Sequence, residues 1–120
     1  VDAAVLADRI TAAIRRMGVD PNALLPRARI EEAARALALQ EPDRARQIVR
    51  RVAPAAVRSV SRRILADAEL RADADAYVRA FGREMQDHAR QGDAHDVQAR
   101  LATDEGRAFM LLDAAIGDLG

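Results

Sequence analysis

The sequence predicts an all-α protein, a compact bundle of about six to eight short amphipathic helices that forms one domain over residues 1–120. Apolar residues recur every three or four positions through most of the chain, which is the spacing of one helix face. The interruptions of this repeat coincide with proline, glycine or a residue that caps helices. No segment alternates apolar and polar residues in the manner of a strand, and no internal repeat or low-complexity linker is present.

The first part of the chain predicts two helices. Asp2 is placed to cap the first helix and Gly18 to end it. The apolar stripe of this helix is Ala3, Leu6, Ile10, Ala13, Ile14 and Met17. Asp20 followed by Pro21 supplies the cap and the first-turn proline of a short second helix, which Pro26 ends.

Prolines divide the middle of the chain into further helices. The repeat formed by Ile30, Ala34 and Leu37 stops before Pro42 and restarts there. Pro54 interrupts it again, because proline lacks an amide donor and crowds the preceding turn. A helix, or a kinked continuation of one, begins at Pro54 with the stripe Val57, Val60 and Ile64.

Three more helices are predicted in the second half of the chain. We expect Asp73 to cap the first of them and Gly92 to end it. Its stripe is Ala74, Tyr77, Val78, Phe81, Met85 and His88. A short helix around Val97 and Leu101 follows, and Thr103 opens the last helix.

The last helix is apolar on more than one face, since Met110, Leu111 and Ala114 lie away from its main stripe. Such a helix is either the central element of a bundle or half of an interface with another chain. We expect the interface, formed with a protein partner or with a second copy of this chain. The expected anchors are Phe109, Met110, Leu112, Ile116 and Leu119. The alternative is that these side chains fill the protein's own core.

Charge is balanced overall but uneven along the chain. The 19 basic and 19 acidic residues give a net charge of zero, so nothing global draws the chain to nucleic acid or membrane. Residues 44–63 nevertheless contain seven arginines and no acid. All basic residues are arginine, which we attribute to a GC-rich bacterial genome. The arginines expected to contact nucleic acid or an acidic partner are Arg46, Arg50, Arg51, Arg58, Arg62 and Arg63.

A comparison with the helix-turn-helix motif disfavours DNA as that contact. If Val57, Val60 and Ile64 were the buried side of a recognition helix, Pro54 would occupy the turn position where glycine is expected. Arg50 would stand at or beside a position that needs a small residue. A solvated arginine face fits the pattern better, as does pairing of these arginines with the acidic second half of the chain, either within one chain or between chains, where it would orient assembly.

Residue patterns for metals and catalysis are weak. In the stretch 73–84 the acids Asp73, Asp75 and Glu84 match a calcium loop, but its glycine position is filled by Val78. His88 has acidic neighbours but no second histidine at helical spacing, so we expect a histidine at the edge of the core. The chain lacks cysteine and a glycine-rich phosphate loop. We therefore expect no enzymatic activity, no cofactor and no metal.

The sequence thus predicts a non-enzymatic protein-interaction or regulatory module that binds a partner or self-associates. Nucleic-acid binding through residues 44–63 is the alternative, and a small-ligand bundle would require a cavity between helices. No apolar run of 18 residues is present, so we expect no membrane span. No intact signal peptide is recognisable and we expect a cytoplasmic location, although the lack of an initiator Met also suits a processed fragment.

Overall fold

The structure is a computed structural model that describes residues 2–119, with side chains described as far as residue 117. This part of the chain forms eight α-helices and no strand, which confirms the predicted all-α bundle. Their bounds are α1 Ala3–Arg16, α2 Pro21–Leu24, α3 Arg27–Ala38, α4 Pro42–Val52, α5 Pro54–Ala66, α6 Ala68–Arg90, α7 Ala94–Leu101 and α8 Asp104–Leu119. The Cα radius of gyration is 13.0 Å.

Helix ends follow the capping residues of the sequence. The Asp2 carboxylate accepts a hydrogen bond from the Ala4 amide at 2.9 Å, and Asp20 caps α2 in the same way. Gly18 has a φ of 76°, the left-handed conformation that ends a helix most easily when no side chain is present. At the start of α8, the Thr103 hydroxyl accepts from the Gly106 amide at 3.0 Å. Local polar chemistry therefore sets these boundaries.

One predicted boundary is wrong. Helix α6 begins at Ala68 and is capped by Asp67, whose carboxylate accepts from the Leu70 amide at 3.1 Å. Asp73 lies inside the helix, where it accepts a hydrogen bond from Arg9 of α1 at 3.1 Å. The aspartate that the sequence offered as a cap thus joins two helices. Residues 73–84 are continuous helix, which removes the geometry of a calcium loop.

Helix α8 is the central element of the bundle. It packs against α1, α2, α4, α5, α6 and α7. Leu112 is 0% exposed and Phe109 is 4% exposed. The prediction that α8 presents an apolar surface to a partner is therefore wrong for Phe109, Met110 and Leu112, because six neighbouring helices enclose them in one chain. Ile116 is half-buried against the same core, and the side chain of Leu119 lies outside the described residues.

An aromatic stack fixes α6 against α8. The rings of Phe81 and Phe109 lie with centroids 4.8 Å apart, and the ring of Tyr77 follows at 5.9 Å from Phe81. The Tyr77 hydroxyl donates to the backbone carbonyl of Glu105 at 2.7 Å. Burial raises the pKa of Tyr77 well above its ordinary value, so the phenol keeps the proton that it donates. These contacts hold α6 in place along one side of the core.

Candidate functional site

Two arginines of the basic segment 44–63 bind the protein's own central helix. Arg46 of α4 donates from Nε to the Asp113 carboxylate at 3.0 Å. Arg50, one turn later, donates to the backbone carbonyl of Ala114 at 3.3 Å. The sequence assigned both arginines to a partner contact, with pairing to the acidic second half of the same chain as an alternative, and the structure places both against α8. Their first role is therefore to hold α4 on the core.

The carboxylate of Asp113 is the buried charge of this contact. Burial raises its pKa above the ordinary value, and the positive charge of Arg46 only partly reverses that effect. Burial also opposes the charge of Arg46, but Asp113 and Asp43 outweigh it and raise the arginine pKa. The pair is held by hydrogen bonds as well as charge, as a partly buried ion pair requires.

Most arginines of the described chain have a local electrostatic partner. Eight form ion pairs with carboxylates, for example Arg100 with Glu84 at 2.7 Å. Arg50 and Arg107 donate to backbone carbonyls. Five others lie in the last turn of a helix, where the helix dipole favours a cation. These five are Arg15, Arg16, Arg35, Arg51 and Arg63.

Four arginines have none of these partners. Arg58 and Arg62 form one pair on α5, and Arg79 and Arg83 form another on α6. Within residues 2–117 no carboxylate oxygen lies within 4.0 Å of their guanidinium nitrogens. Both pairs have the i, i+4 spacing at which like charges destabilise a helix by a few tenths of a kcal/mol. Fold stability therefore does not explain either pair.

The α5 arginine pair, Arg58 and Arg62, lies on a convex helix face. Val57, Val60 and Ile64 are buried on the opposite side of α5, as the sequence predicted. Leu65 follows the pair at i+7 from Arg58 and is 62% exposed, so an exposed apolar side chain shares the helix face of the two arginines. Arg63 borders this face and is also exposed. We call these four residues the α5 face.

The α6 arginine pair, Arg79 and Arg83, borders a cavity of about 440 Å³. Its apolar lining comes from Leu37, Val78, Met85 and Phe109. Its polar lining comes from Arg46, Gln40, Gln86 and Asp113 as well as from the pair. The cavity opens between α6, the turn that joins α3 to α4, and α8. We call it the α6 cleft.

A groove between α3 and α7 has a comparable volume of about 440 Å³ and a different lining. Its residues are Ala34, Arg35, Ala38, Leu39, Ala94, His95 and Gln98. Asp93 and Asp96 flank Ala94 and His95 at the start of α7, and neither lies within 4.0 Å of an arginine nitrogen in residues 2–117. We call this surface, with its two acids, the α3–α7 groove.

Among the residues that the structure describes, one group of side chains could hold a metal ion. His88, Asp93 and Asp96 each bring one ligand atom to within 4.8 Å of the others. The tight turn from α6 to α7 creates this proximity, since the Asp93 amide donates to the His88 carbonyl at 2.9 Å. His88 is half-buried and its Nε2 lies 3.7 Å from the Glu84 carboxylate. His95, the second histidine, is exposed.

A cavity of about 430 Å³ between α1, α2 and α8 is built mainly from groups with internal partners. Asp20 of its lining caps α2, and the Asn22 amide donates to the Asp104 carboxylate at 3.1 Å. Arg15 lies in the last turn of α1. Its polar side chains are therefore explained by the fold, unlike the arginines of the α6 cleft.

Comparison with known proteins adds no further assignment: no protein-family model, curated protein or solved structure matches the chain significantly. Among residues 2–119 no helix has the length and the apolar character to cross a membrane. Sequence reasoning found the α5 face through its charge but missed the α6 arginine pair. The signal was present, because two arginines at i and i+4 enclose Gly82 in the middle of a helix.

Proposed function

We propose that this protein is a non-enzymatic interaction module that assembles with copies of itself. In the proposed contact, the α5 face of one copy binds the α3–α7 groove of the next. The observation that carries the proposal is the α5 arginine pair, two exposed cations beside exposed Leu65 with no carboxylate of residues 2–117 within 4.0 Å. A partner surface must therefore supply the acids that such a face attracts.

The α3–α7 groove has the complementary chemistry. Asp93 and Asp96 provide two adjacent carboxylates, and their ligand oxygens lie within 4.8 Å of each other. The groove beside them is lined by three alanines, by the polar side chains of Arg35, His95 and Gln98, and by Leu39, which is 68% exposed. Arg62 and Leu65 are separated by about 4.5 Å along the axis of α5. One helix face can thus offer a guanidinium to the carboxylates and Leu65 to the groove together.

The two surfaces belong to different helices, and in the proposed contact each copy binds the next head-to-tail. Such heterologous contacts close into rings or continue as filaments, depending on the rotation between copies. Exposed ion pairs contribute only about 0–1 kcal/mol each, so the charges mainly set orientation. Burying Leu65 adds about 1.5–3 kcal/mol at most. The assembly is therefore expected to be weak, concentration-dependent and sensitive to salt.

Nucleic acid fits the α5 face less well than protein does. Stacking on bases needs exposed aromatic rings, and the rings of Tyr77, Phe81 and Phe109 are all buried. The net charge of the whole chain is zero, which gives no long-range attraction to a polyanion. Leu65 also has no group that can bind a phosphate backbone, whereas an apolar side chain among arginines is typical of protein interfaces.

Sedimentation velocity of the purified 13.0 kDa chain tests the proposal. We expect the average mass to rise with protein concentration at about 50 mM salt and to fall when salt is raised to about 200 mM. EDTA is kept in the buffer so that no cation bridges the carboxylates. The variant R58E/R62E should remain a monomer. The matched control R79E/R83E has the same spacing and the same change in net charge, and it should assemble as the wild type does.

A charge-exchanged pair gives the decisive measurement. D93R/D96R should also be a monomer, because an arginine face then meets an arginine groove. Mixed with R58E/R62E it should assemble again, since each new acidic face meets a new basic groove. A wild-type chain that stays monomeric at every concentration refutes the proposal. So does a monomer that binds duplex DNA with an affinity falling by orders of magnitude between about 50 and 200 mM salt, which supports the alternative.

A further inference from the structure

The α6 cleft combines an apolar floor with cations at its rim. Val78, Met85 and Phe109 contribute apolar surface, and Arg79 and Arg83 lie one helical turn apart along one edge. Its volume of about 440 Å³ is within the range of cavities that bind small molecules, about 300–1,000 Å³. Neither the core packing nor an internal ion pair of the described residues requires the two arginines.

Gly82 keeps the wall of the cleft open. It lies in the middle of the 23-residue helix α6, where glycine costs about 1 kcal/mol relative to alanine. Close packing does not require it, because a Cβ built there meets only the Phe109 ring, at 3.8 Å. Any larger side chain at this position would project toward Phe109 into the cleft. The glycine is thus unfavourable for the helix and favourable for an empty cavity.

Gln40 at the edge of the cleft also departs from the local preference of the backbone. Its φ is 60°, in the left-handed region where helices that end in this way usually have glycine. The Gln40 amide donates to the Leu37 carbonyl at 2.9 Å, which is the hydrogen bond of a helix C-terminus. The Gln40 side chain therefore borders the cleft at a backbone position that favours glycine.

Asp113 determines which part of the cleft a ligand anion can occupy. Its carboxylate lies on α8 and is held by Arg46. A ligand anion placed beside Asp113 would be repelled, whereas one placed between Arg79 and Arg83 would be attracted by two guanidiniums. The apolar body of a ligand would then lie toward Phe109 and Met85.

We propose that the α6 cleft binds a small amphipathic monoanion, a carboxylic acid with an unbranched or aromatic apolar body. The carboxylate binds Arg79 and Arg83 at the rim, and the apolar body covers the floor. This proposal is independent of the self-association through the α5 face. The two proposals use different arginine pairs, so each pair serves as the control for the other.

Titration calorimetry of the full chain with decanoate and with decan-1-ol, both kept below the concentration at which they aggregate, tests the proposal. The two probes share the alkyl chain and differ in charge. We expect saturable binding of decanoate, with decan-1-ol about tenfold weaker because it lacks the charge-assisted hydrogen bonds. In R79Q/R83Q the two affinities should become equal. In the control R58Q/R62Q the preference for decanoate should remain.

The variant Gly82→Leu tests the cavity itself, because a leucine side chain would occupy the cleft. It should abolish binding of both probes while circular dichroism shows that the helices remain. If Gly82→Leu fails to fold, Gly82→Ala is measured instead. It keeps most of the volume of the cleft and should retain binding. Equal affinity of the wild type for both probes, or the same loss in R58Q/R62Q as in R79Q/R83Q, overturns the proposal. An absence of saturable decanoate binding overturns it as well.

Discussion

The same substitution, glycine to alanine, should have opposite effects at two positions inside helices. Gly82 lies in the middle of α6 and Gly106 in the first turn of α8. Alanine gains about 1 kcal/mol over glycine in a helix interior, since the unfolded glycine has more backbone freedom. That gain is available at both positions. The surroundings of the added Cβ decide whether it is realised.

The distances to the added Cβ give the magnitudes. At Gly82 the nearest atom beyond the helix is Cε1 of Phe109 at 3.8 Å, an ordinary van der Waals contact. Gly82→Ala is therefore expected to stabilise the protein by about 0.5–1 kcal/mol. At Gly106 the Cβ would lie 2.2 Å from the Arg100 carbonyl oxygen and 2.5 Å from the Cα of Leu101. Both are backbone atoms of α7, which must move by about an ångström.

Overpacking of this kind costs about 1–3 kcal/mol, and rigid backbone atoms place Gly106→Ala at the upper end of that range. After subtraction of the helix gain, we expect a net loss of about 2 kcal/mol. Urea and thermal denaturation, each followed by circular dichroism, measure both variants. The melting temperature should rise by about 2–4 °C for Gly82→Ala and fall by about 8 °C for Gly106→Ala. If both variants shift stability in the same direction, the packing of α7 against α8 described above is wrong.

Two further predictions concern α8. Leu112→Ala should lower the free energy of unfolding by about 2–5 kcal/mol and leave the sedimentation behaviour unchanged, because Leu112 is 0% exposed in one chain. Dissociation of an assembly without loss of stability would instead place Leu112 at an interface. Burial raises the pKa of Asp113, so the folded state holds the proton more tightly than the unfolded state. Protonation of Asp113 therefore stabilises the fold at low pH, and this stabilisation is lost as pH rises from about 3.8 through the raised pKa. The free energy of unfolding of the wild type minus that of Asp113→Asn, measured by urea denaturation from about pH 3 to 7, should therefore fall with rising pH and then level off. A difference that does not change with pH contradicts the raised pKa.

Helix boundaries were predictable where a single residue changes the local backbone. Asp2, Gly18 and Thr103 act through atoms a few residues away, so their roles can be inferred without the fold. The start of α6 was not predictable in this way. Asp67 and Asp73 are both chemically suited to cap a helix; Asp67 does so, whereas Asp73 pairs with Arg9, 64 residues away.

The surface of the protein was less predictable than its helices. The sequence shows how many faces of α8 are apolar, but not that six other helices cover them. It likewise shows a run of arginines without showing which of them find a partner. Arg46 pairs with Asp113, 67 residues later, while Arg58 in the same run pairs with no carboxylate of residues 2–117. Which arginines pair with a carboxylate within the protein is known only from the contacts of the folded chain.

A net charge of zero does not mean that each surface is neutral. Several acids are committed to helix N-termini, where Asp2, Asp20 and Asp67 bind backbone amides and so do not neutralise an arginine. Acids used in this way do not pair with arginines, which leaves an excess of arginines without a carboxylate partner among the described residues. That excess is not spread evenly over the described surface. It includes two i, i+4 pairs, on α5 beside an exposed leucine and on α6 above an apolar cleft, and these are the two places where we propose that a second chain and a ligand supply negative charge.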